Sequence, residues 1–430
     1  MRNAISYLNS LGVHRVNLSL DRISKILATF DNPHTKLTSI VIAGTNGKGS
    51  VATLIASVLS AAGLKVGLYT SPHLVNISER IRVNGEEISL SDLNRLITRI
   101  KGKASKTLTE QPTYFEVLTA VALVFFHEKQ VDCAVLEVGM GGRFDATNLA
   151  EPIASVITNV YLDHTEHLGN TVEKIAYEKA GVIRYGVPVV TGTVGPALEV
   201  ISAAAKEKSA RVLLLGRDFS SNRSNFADFD YNGQSFNLKN LLLGLPGLYQ
   251  VNNATLAIAT IEALRERFGI EIDEKSLREG LSTATWEGRM ETLRLNPPLI
   301  VDGAHNPSAA QALRSSLMHA YPEKKFLFLI GMLADKDHED YLKELAPISE
   351  GMIITEVPSD RNMPSEDLAH IARRYVDCVR VINDSEAAFL ELTKHDSTPA
   401  CVTGSLYLVG AVKKSIEDNR KSIKKEQKLV

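Results

Sequence analysis

The chain has 430 residues, of which 44% are hydrophobic and 23% are charged, and its formal net charge is -2 at pH 7. This composition excludes a disordered chain, and the near-neutral charge gives no overall bias toward nucleic acid. The length predicts two domains rather than a single core.

Cysteine usage is typical of a reducing compartment, and the hydrophobic pattern shows neither a signal peptide nor a membrane span. Cys133, Cys378 and Cys401 are scattered and odd in number, which argues against a disulfide framework and against a thiolate zinc site. The N-terminal stretch MRNAISYLNSLGVHRVNLSL lacks the apolar region of a signal peptide. Elsewhere no segment has the roughly 18 uninterrupted apolar residues that a membrane span needs. We therefore expect a cytoplasmic protein without a membrane partner.

In the first part of the chain, short apolar runs alternate with helical patterns. These runs are LTSIVIA, KVGLYT, VDCAVLEVG, IASVITNV, VPVVTG and RVLLLG. Such alternation predicts a parallel, doubly wound sheet. Residues 217–240 change to a polar and aromatic alternation, which predicts a small antiparallel hairpin around YNGQ. The stretch QVNNATLAIATIEALRERFG then predicts a helix that ends near Gly269.

A second alternation of strands and helices begins at PLIVDGAHNPSAAQALRSSL. It continues through KKFLFLIGML, GMIITEV, CVRVIND and PACVTGS. Between the two alternations, TWEGRMETLRLNPP is polar and carries paired prolines. We therefore predict an α/β protein with an N-terminal domain over 1–287, a linker at about 288–297 and a smaller domain over 298–430. The charge-rich C-terminal tail is typical of a solvated helix end, so we expect no nucleic-acid partner.

Residues 39–63, SIVIAGTNGKGSVATLIASVLSAAG, predict a strand, a glycine-rich turn and a helix. Backbone N–H groups converge at such a turn, and the helix N-terminus favours an anion there. Lys48 can reach phosphate oxygens, and the Ser50 hydroxyl can ligate magnesium. The loop departs from the Walker pattern because Ile42 occupies its first glycine position and Gly49 separates Lys48 from Ser50. On this stretch alone, a turn that only connects strand to helix stays open.

Carboxylates and a histidine follow two further predicted strands. Glu137 ends one strand and precedes a glycine-rich loop, a position that suits a magnesium ligand beside the ligand crevice of a parallel sheet. The alternative is that Glu137 caps the following turn. Asp163 and His164 follow the next strand, and Lys179 lies on the helix after them. This pair suggests a metal or phosphate site, but it is also typical of a simple hydrogen-bonded turn.

Several short motifs occur together along the chain. They are GTNGKGS at 44–50, TSPH at 70–73, ERIRVNG at 79–85, EVGMGGRFDATN at 137–148, LDH at 162–164 and EKAG at 178–181, followed by YQVNNATLA, WEGRME, VDGAHNP and LIGMLADKD. In order and spacing they resemble the folylpolyglutamate synthase and dihydrofolate synthase family over nearly the whole chain. This family and the related Mur ligases use a GTNGK[GT][ST] phosphate loop, in which the metal-binding hydroxyl falls one residue later.

The resemblance implies a P-loop domain with a mostly parallel sheet, a smaller Rossmann-like α/β domain, and an ATP-dependent amide ligase. ATP would phosphorylate a folate or dihydropteroate carboxylate, and the amine of L-glutamate would attack the acyl phosphate. Two magnesium ions are implied as cofactors, with room for a monovalent cation such as K⁺. GGRFDATN is closer to members that also make dihydrofolate, which favours a bifunctional enzyme. We expect a monomer.

The resemblance also implies roles for individual residues. ATP would be held by Gly44, Thr45, Asn46, Gly47, Lys48, Gly49, Ser50, Asn253, Arg289 and Asp302. Metal ions would be held by Ser50, Ser71, Glu137, His164 and Lys179, the last matching a lysine that is carbamoylated in relatives. The catalytic group would be Lys48, His164, Lys179 and His305. Phe115 and Asp145 would contact the pterin, and residues from Pro72 to about Glu87 would form a long loop over the site.

Without the resemblance, these residues have ordinary interpretations. Lys179 would be a cation on a helix surface. Asn253, Arg289, Asp302 and His305 would be a cap, a surface arginine or loop residues. Two rival functions also stay open: a Mur-type ligase of cell-wall synthesis, and a regulatory P-loop protein without ligase activity. We disfavour the first because only about forty residues precede the phosphate loop, and the second because a switch needs neither a second domain nor a second metal constellation.

Overall fold

The structure is a computed structural model that describes residues 2–12, 15, 17, 19–223 and 228–426. The chain divides into two compact units. The first unit comprises Met1–Pro72, Ser78–Gly244 and Gln250–Thr285, and the second comprises His73–Ile77, Leu245–Tyr249 and Trp286–Val430. Both units combine a sheet with helices, which confirms the α/β fold class.

The strands and helices of the first unit follow the predicted alternation. Its strands are β1 (Ser39–Ala43), β2 (Val66–Tyr69), β3 (Ile81–Val83), β4 (Glu86–Glu87), β5 (Cys133–Glu137), β6 (Pro152–Ile157), β7 (Val189–Thr191), β8 (Val212–Leu214), β9 (Ser220–Arg223), β10 (Asp228–Asn232) and β11 (Asn237–Leu242). Its helices are α1 (Arg2–Ser10), α2 (Asp21–Ala28), α3 (Lys48–Ala61), α4 (Leu90–Thr107), α5 (Tyr114–Glu128), α6 (Thr165–Leu168), α7 (Val172–Ala180), α8 (Gly195–Glu207), α9 (Leu248–Phe268), which begins in the second unit, and α10 (Glu274–Thr283). Short 3-10 helices span Pro33–Lys36, Ile77–Arg80 and Ala146–Leu149.

The larger sheet has the strand order β4-β3-β2-β5-β1-β6-β7-β8, and the strands from β2 to β8 in this order are parallel. Their carboxyl ends therefore lie at one edge of the sheet, where ligands bind in doubly wound folds. The loops that follow β1, β5 and β6 leave that edge from adjacent strands. Residues 72–87, predicted as one long loop, instead include β3 and β4, which extend the sheet as antiparallel strands.

Helices cover the larger sheet through close contacts at small residues. On α10, a Cβ at Gly280 would lie 2.4 Å from the Cα of Val58 on α3, so only glycine allows this approach. The Ser57 hydroxyl donates to the Gly280 carbonyl at 2.7 Å. Helix α5 begins with a capping box in which Thr113 and Glu116 satisfy each other's backbone N–H groups. These contacts fix α3, which carries the phosphate loop, and α5, which carries Phe115.

The polar stretch after β8 forms the predicted antiparallel ribbon, with strand order β11-β10-β9. Residues 224–227 of the predicted segment lie outside the described residues. Glu262, a buried carboxylate on α9, accepts the Tyr231 hydroxyl at 2.6 Å and the backbone N–H groups of Ser235 and Phe236 at 2.8 and 2.6 Å. Helix α9 ends at Phe268, followed by Gly269 at a φ of 65°, as the sequence predicts.

The second unit is a smaller sheet flanked by helices. Its strands are β12 (Glu291–Leu295), β13 (Pro298–Val301), β14 (Phe326–Ile330), β15 (Ser349–Ile354), β16 (Val379–Val381) and β17 (Ala400–Thr403), in the order β12-β13-β17-β14-β15-β16. Its helices are α11 (Pro307–Ala320), α12 (His338–Leu345), α13 (Ser365–Ala372), α14 (Ser385–Thr393) and α15 (Leu406–Glu426), with a 3-10 turn at Ala346–Ile348. The core includes Val301, Leu329, Ile353, Val402 and Leu408.

The stretch 288–297 is not the irregular linker that its polarity suggested. It contains β12, which pairs antiparallel with β13 and forms one edge of the second sheet. A one-sided edge strand needs few apolar residues, which is why its sequence resembles a connection. Among the described residues, no helix has the length and apolarity required to cross a membrane.

The hydrogen bonds that Glu262 accepts from the ribbon predict that the ribbon is less stable when Glu262 is replaced. Glu262→Gln replaces one acceptor oxygen by an amide donor that faces backbone N–H groups, so we expect a loss of about 2 kcal/mol in ribbon stability. Hydrogen exchange at the Ser235 and Phe236 amides should accelerate by at least roughly tenfold. The control is Glu266→Gln one turn later, which removes an exposed pair with Arg211 and should change exchange by less than about twofold. Equal effects of the two variants on exchange would contradict the role of Glu262 in stabilising the ribbon.

Candidate nucleotide and metal site

The phosphate loop between β1 and α3 is built around two glycines that cannot be replaced. Gly44 has a φ of 145°, and a Cβ there would lie 1.9 Å from the Thr158 hydroxyl oxygen. Gly47 has a φ of 82°, and a Cβ there would lie 2.4 Å from Oδ1 of Asn253. Both glycines therefore serve a backbone that is closely surrounded by polar side chains. A turn that only connects a strand to a helix does not require such close packing around its glycines.

Two lysines converge on one carbonyl of this loop. Lys48 Nζ donates to the carbonyl oxygens of Gly44 and Thr45 at 3.1 and 3.0 Å, and Lys179 Nζ donates to the Gly44 oxygen at 2.8 Å. Lys179 is only 4% exposed, so it is not a surface cation. Burial, reinforced by repulsion from Lys48, lowers the pKa of Lys179 to about 7. A substantial fraction of Lys179 is therefore a neutral amine near pH 7.

The predicted metal ligands fall at the same edge of the sheet. Glu137 is the last residue of β5, is 4% exposed, and accepts the backbone N–H of Ser71 at 2.9 Å. Ser71 follows β2, the parallel neighbour of β5, so strand order brings these two residues together. Ser50 is buried in the first turn of α3. The predicted residues Ser71 and Glu137 thus form a pair.

Asp163 and His164 follow β6 and precede the short helix α6. His164 has a φ of 50°, its backbone N–H donates to Asp163 Oδ1 at 2.9 Å, and its Nε2 lies 4.0 Å from Asp163 Oδ2. The turn that sequence analysis left open as an alternative is therefore present. It presents a partly exposed imidazole beside a largely buried carboxylate.

A small, open cavity joins these groups within the first unit. Its lining residues are Gly44, Thr45, Lys48, Gly139, Met140, Gly141, Asp163, His164, Leu168 and Lys179. The structure therefore brings the predicted residues Lys48, His164 and Lys179 together. Ser50, Ser71 and Glu137 are not among the lining residues.

Among the described residues, no three His, Cys, Asp or Glu side chains gather in a cluster that could hold a metal ion. Oxygen donors at this edge include the Glu137 and Asp163 carboxylates and the hydroxyl of Ser50. Magnesium is commonly bound by one or two carboxylates together with substrate phosphates and water. This donor set, beside a loop whose glycines leave room for a phosphate, fits magnesium bound with a nucleotide.

The loop after β5 carries the two predicted pterin contacts. The Phe115 ring packs against this loop, where a Cβ at Gly139 would lie 2.6 Å from its Cζ. Asp145 is buried and accepts the N–H groups of Met140 and Thr147, both at 3.0 Å, and the Thr147 hydroxyl at 2.6 Å. Burial raises the pKa of Asp145, although these hydrogen bonds oppose the rise. Asp145 therefore holds the shape of the loop, and its pterin contact stays a prediction.

The other predicted residues divide between the units. In the first unit, Asn253 lies against Gly47 and donates from Nδ2 to Oε1 of Gln250 at 2.8 Å. In the second unit, Asp302 follows β13 and accepts the Tyr249 hydroxyl at 2.7 Å and the N–H of Met290 at 2.8 Å. Burial and the Asp302 charge raise the pKa of Tyr249.

Arg289 and His305 flank Asp302 in the second unit. Arg289 Nη1 donates to the Gly288 carbonyl at 2.9 Å, and a Cβ at Gly303 would lie 2.4 Å from that same nitrogen. His305 Nδ1 lies 2.8 Å from the Gly303 carbonyl oxygen. Arg289, Asp302 and His305 therefore meet at the carboxyl end of β13.

Sequence analysis missed two residues that contact the phosphate loop. Thr158 and Asn159, which immediately follow β6, hydrogen-bond the backbone of Asn46. The signal was available, since polar residues directly after a parallel strand are expected at the ligand edge. The rule that places Glu137 at this edge applies equally to the TN dipeptide that follows β6.

Comparisons with known proteins identify the family of this chain. Residues 42–261 match the Mur ligase middle domain, and residues 288–404 match the Mur ligase, glutamate ligase domain. The dihydrofolate synthase/folylpolyglutamate synthase of Bacillus subtilis is 32% identical, covering 97% of this chain and 99% of that relative. The chain belongs to the folylpolyglutamate synthase/dihydrofolate synthase family. The resemblance drawn from the motifs is thereby confirmed, and the chain is a ligase.

Solved structures of this family have the same fold. The E. coli FolC complex with DHPP and ADP is 32% identical, with a TM-score of 0.88 over 97% of this chain and 98% of that chain. The bifunctional folylpolyglutamate synthase/dihydrofolate synthase from Yersinia pestis, complexed with AMPPNP and Mn ion, is 30% identical, with a TM-score of 0.87 over 96% and 97% of the two chains. These values confirm the predicted P-loop and Rossmann-like architecture.

The lowered pKa of Lys179 predicts a pH-dependent stability difference. Between about pH 7 and 10.5 the unfolded chain carries a proton on Lys179 that the folded protein lacks, so folding becomes more favourable as pH rises through this window. Lys179→Met removes this dependence. We expect the variant to be more stable than the wild type by a few kcal/mol below pH 7, since one pKa unit corresponds to about 1.4 kcal/mol.

This advantage of Lys179→Met should shrink steadily toward pH 10.5, as measured by thermal unfolding of the ligand-free protein across that range. Lys174→Met, at an exposed position on the same helix, is the control and should keep the pH profile of the wild type. A constant difference between Lys179→Met and the wild type at all pH values would contradict the burial of a titrating lysine.

Proposed function

We propose that this protein is an ATP-dependent ligase that joins L-glutamate to the carboxylate of a folate or dihydropteroate through an acyl phosphate. We further propose that it is bifunctional, acting as dihydrofolate synthase and as folylpolyglutamate synthase. The observation that carries the proposal is the cavity in which Lys48, Lys179 and His164 meet the phosphate loop. Relatives named for this activity match nearly the whole chain, which supports it.

The chemistry explains why such a site is needed. A carboxylate is a poor acylating agent at neutral pH, and phosphorylation gives its carbon a leaving group. The protein's task is then to position the reactants and to compensate developing negative charge. We assign charge compensation on the phosphates to Lys48 and to the backbone N–H groups of residues 44–50. Magnesium, held by Ser50 and Glu137, would add Lewis-acid stabilisation of the phosphate oxygens.

Lys179 has properties that suit a second metal position. A neutral amine can combine with carbon dioxide, releasing one proton and leaving a carbamate whose single negative charge is shared by two oxygens, whereas an ammonium group cannot. Burial beside Lys48 supplies that neutral amine near pH 7. We propose that carbamoylated Lys179, with His164 and Ser71, binds a second magnesium ion. We also propose a monovalent cation such as K⁺ as an additional cofactor.

The remaining predicted nucleotide contacts belong to the same proposal. We assign Asn253, Arg289 and Asp302 to the nucleotide and His305 to the region of the γ-phosphate and the acceptor glutamate. We also propose that the first unit is the P-loop ATPase-type domain and that the second unit, which includes β12, is the Rossmann-like domain; the matched ranges 42–261 and 288–404 support this division. We also propose that the protein is a cytoplasmic monomer without a nucleic-acid or membrane partner.

A phosphate-release assay tests the main reaction. With ATP and magnesium present, release should require both L-glutamate and a pterin substrate, tested as dihydropteroate and as tetrahydrofolate in separate reactions. Lys48→Ala should lower release by roughly a thousandfold, because it removes the side chain to which we assign charge compensation on the phosphates, while thermal unfolding stays close to that of the wild type. Release that is indifferent to both substrates would favour a regulatory nucleotide-binding protein instead.

Substitutions at Asp145 and Thr147 distinguish a direct contact with the pterin from an effect on the structure of the loop. If Asp145 contacts the pterin, Asp145→Ala should raise KM for dihydropteroate by roughly tenfold or more, with KM for ATP changed by less than about twofold. Thr147→Val removes only the hydroxyl that donates to Asp145, so it perturbs the loop but leaves the carboxylate. The pterin role would be refuted if the two variants had the same effect on dihydropteroate, or if Asp145→Ala impaired both substrates equally.

A further inference from the structure

We infer that Asn159, together with Thr158, is the positioning residue of the phosphate loop. The amide of Asn159 fixes the backbone on both sides of Asn46 and thereby sets which way the loop's N–H and carbonyl groups face. This inference rests on the proposed function, since it assigns a role in ATP binding. It adds two residues that lie outside the phosphate-loop motif itself.

The Asn159 side chain contacts both peptide groups that flank Asn46. Its Oδ1 accepts the Asn46 N–H at 2.9 Å, and its Nδ2 donates to the Asn46 carbonyl at 3.1 Å. In addition, the Asn159 backbone carbonyl accepts the Thr45 N–H at 2.9 Å. One residue therefore fixes three consecutive peptide groups of the loop, from Gly44–Thr45 to Asn46–Gly47.

Peptide planarity turns these contacts into an orientation of the whole loop. In a trans peptide the N–H and the carbonyl point in opposite directions. Because the N–H groups of Thr45 and Asn46 face Asn159, the carbonyls of Gly44 and Thr45 face away from it. Those carbonyls are the ones that Lys48 contacts, at 3.1 and 3.0 Å. The position of Lys48 thus follows from the contacts of Asn159.

The same rule orients the N–H of Gly47. The Asn46 carbonyl faces Asn159, so the Gly47 N–H, in the same peptide group, points to the opposite side of the loop. A free N–H that is held in place before ligand arrival stabilises an anion without reorganisation cost. Rotation of this peptide group would instead present a carbonyl oxygen to the phosphate.

Thr158 reinforces this orientation from the adjacent position. Its hydroxyl donates to the Asn46 carbonyl at 2.6 Å, so that carbonyl accepts two hydrogen bonds. The same hydroxyl oxygen occupies the place of a Cβ at Gly44, at 1.9 Å. Farther along this segment, the Tyr161 N–H donates to the Thr45 hydroxyl at 3.0 Å. Residues 158–161 therefore hold the loop along its length.

The test compares substitutions by their effect on ATP alone. In the full-length protein, Asn159→Ala should raise KM for ATP and the dissociation constant for ATP, measured by calorimetry, by roughly tenfold or more. KM for dihydropteroate and for L-glutamate should change by less than about twofold. Thr158→Val should have a smaller effect in the same direction, and Thr158→Ser, which keeps the hydroxyl, should restore wild-type values.

Thr191→Val is the matched control, because the Thr191 hydroxyl donates to the Ile157 carbonyl at 2.7 Å on the neighbouring strand and does not contact the loop. It should lower the melting temperature without changing KM for ATP. The inference is overturned if Asn159→Ala behaves like Thr191→Val. If Asn159→Ala does not fold, the comparison of Thr158→Val with Thr158→Ser decides, and equal ATP affinities overturn the inference.

Failure of the proposed function gives a different result. In that case the wild-type protein releases no phosphate in response to dihydropteroate and L-glutamate, whatever the variants do. ATP affinity measured by calorimetry still reports on the loop, because it needs neither acceptor substrate. The positioning role of Asn159 therefore stands or falls on ATP binding alone.

Discussion

The parallel register of three adjacent strands is the constraint on which the candidate site of the first unit depends. Ile42 on β1 is aligned with Glu137 on β5 and with Val156 on β6. The chain therefore leaves all three strands at nearly the same height and enters the phosphate loop, the glycine-rich loop and the segment at 158–164. Hydrogen bonds within the sheet thus bring together residues that are more than one hundred positions apart in sequence.

Electrostatics at this edge are set by burial more than by net charge. Lys48 and Lys179 both reach the Gly44 carbonyl, and their mutual repulsion would be weak in water but is strong where solvent is excluded. This repulsion adds to burial in lowering the pKa of Lys179, and the Lys48 side chain suits the site to bind an anion. Asp145 shows the opposite case, since a buried carboxylate is kept in place by hydrogen bonds from its own loop.

Buried carboxylates organise both units in the same manner. Glu262 accepts hydrogen bonds that hold the ribbon against α9, and Asp302 accepts hydrogen bonds from Tyr249 and Met290 beside β13. In each case one carboxylate accepts several N–H or O–H groups, which satisfies donors that would otherwise be buried without partners. Asp302 also accepts the Ala304 N–H and so holds the backbone next to Arg289 and His305. Glu262 has only this structural role, whereas Asp302 is in addition proposed to contact the nucleotide.

Sequence alone determined the elements and the chemistry of this protein. The periodic runs located the strands, and GTNGKGS with EVGMGGRFDATN located the phosphate loop and a carboxylate, because these signals are local. Polarity misled at 288–297, where an edge strand resembles a linker, and at 72–87, where short strands resemble a loop. The burial of Lys179, the commitment of Asp145 to its own loop and the contacts of Asn159 with Asn46 were decided only by tertiary structure. The burial of Lys179 and the contacts of Asn159 depend on strand order, which places segments in contact that no local pattern connects. The bonds of Asp145 are local to its loop, but its burial depends on how that loop packs.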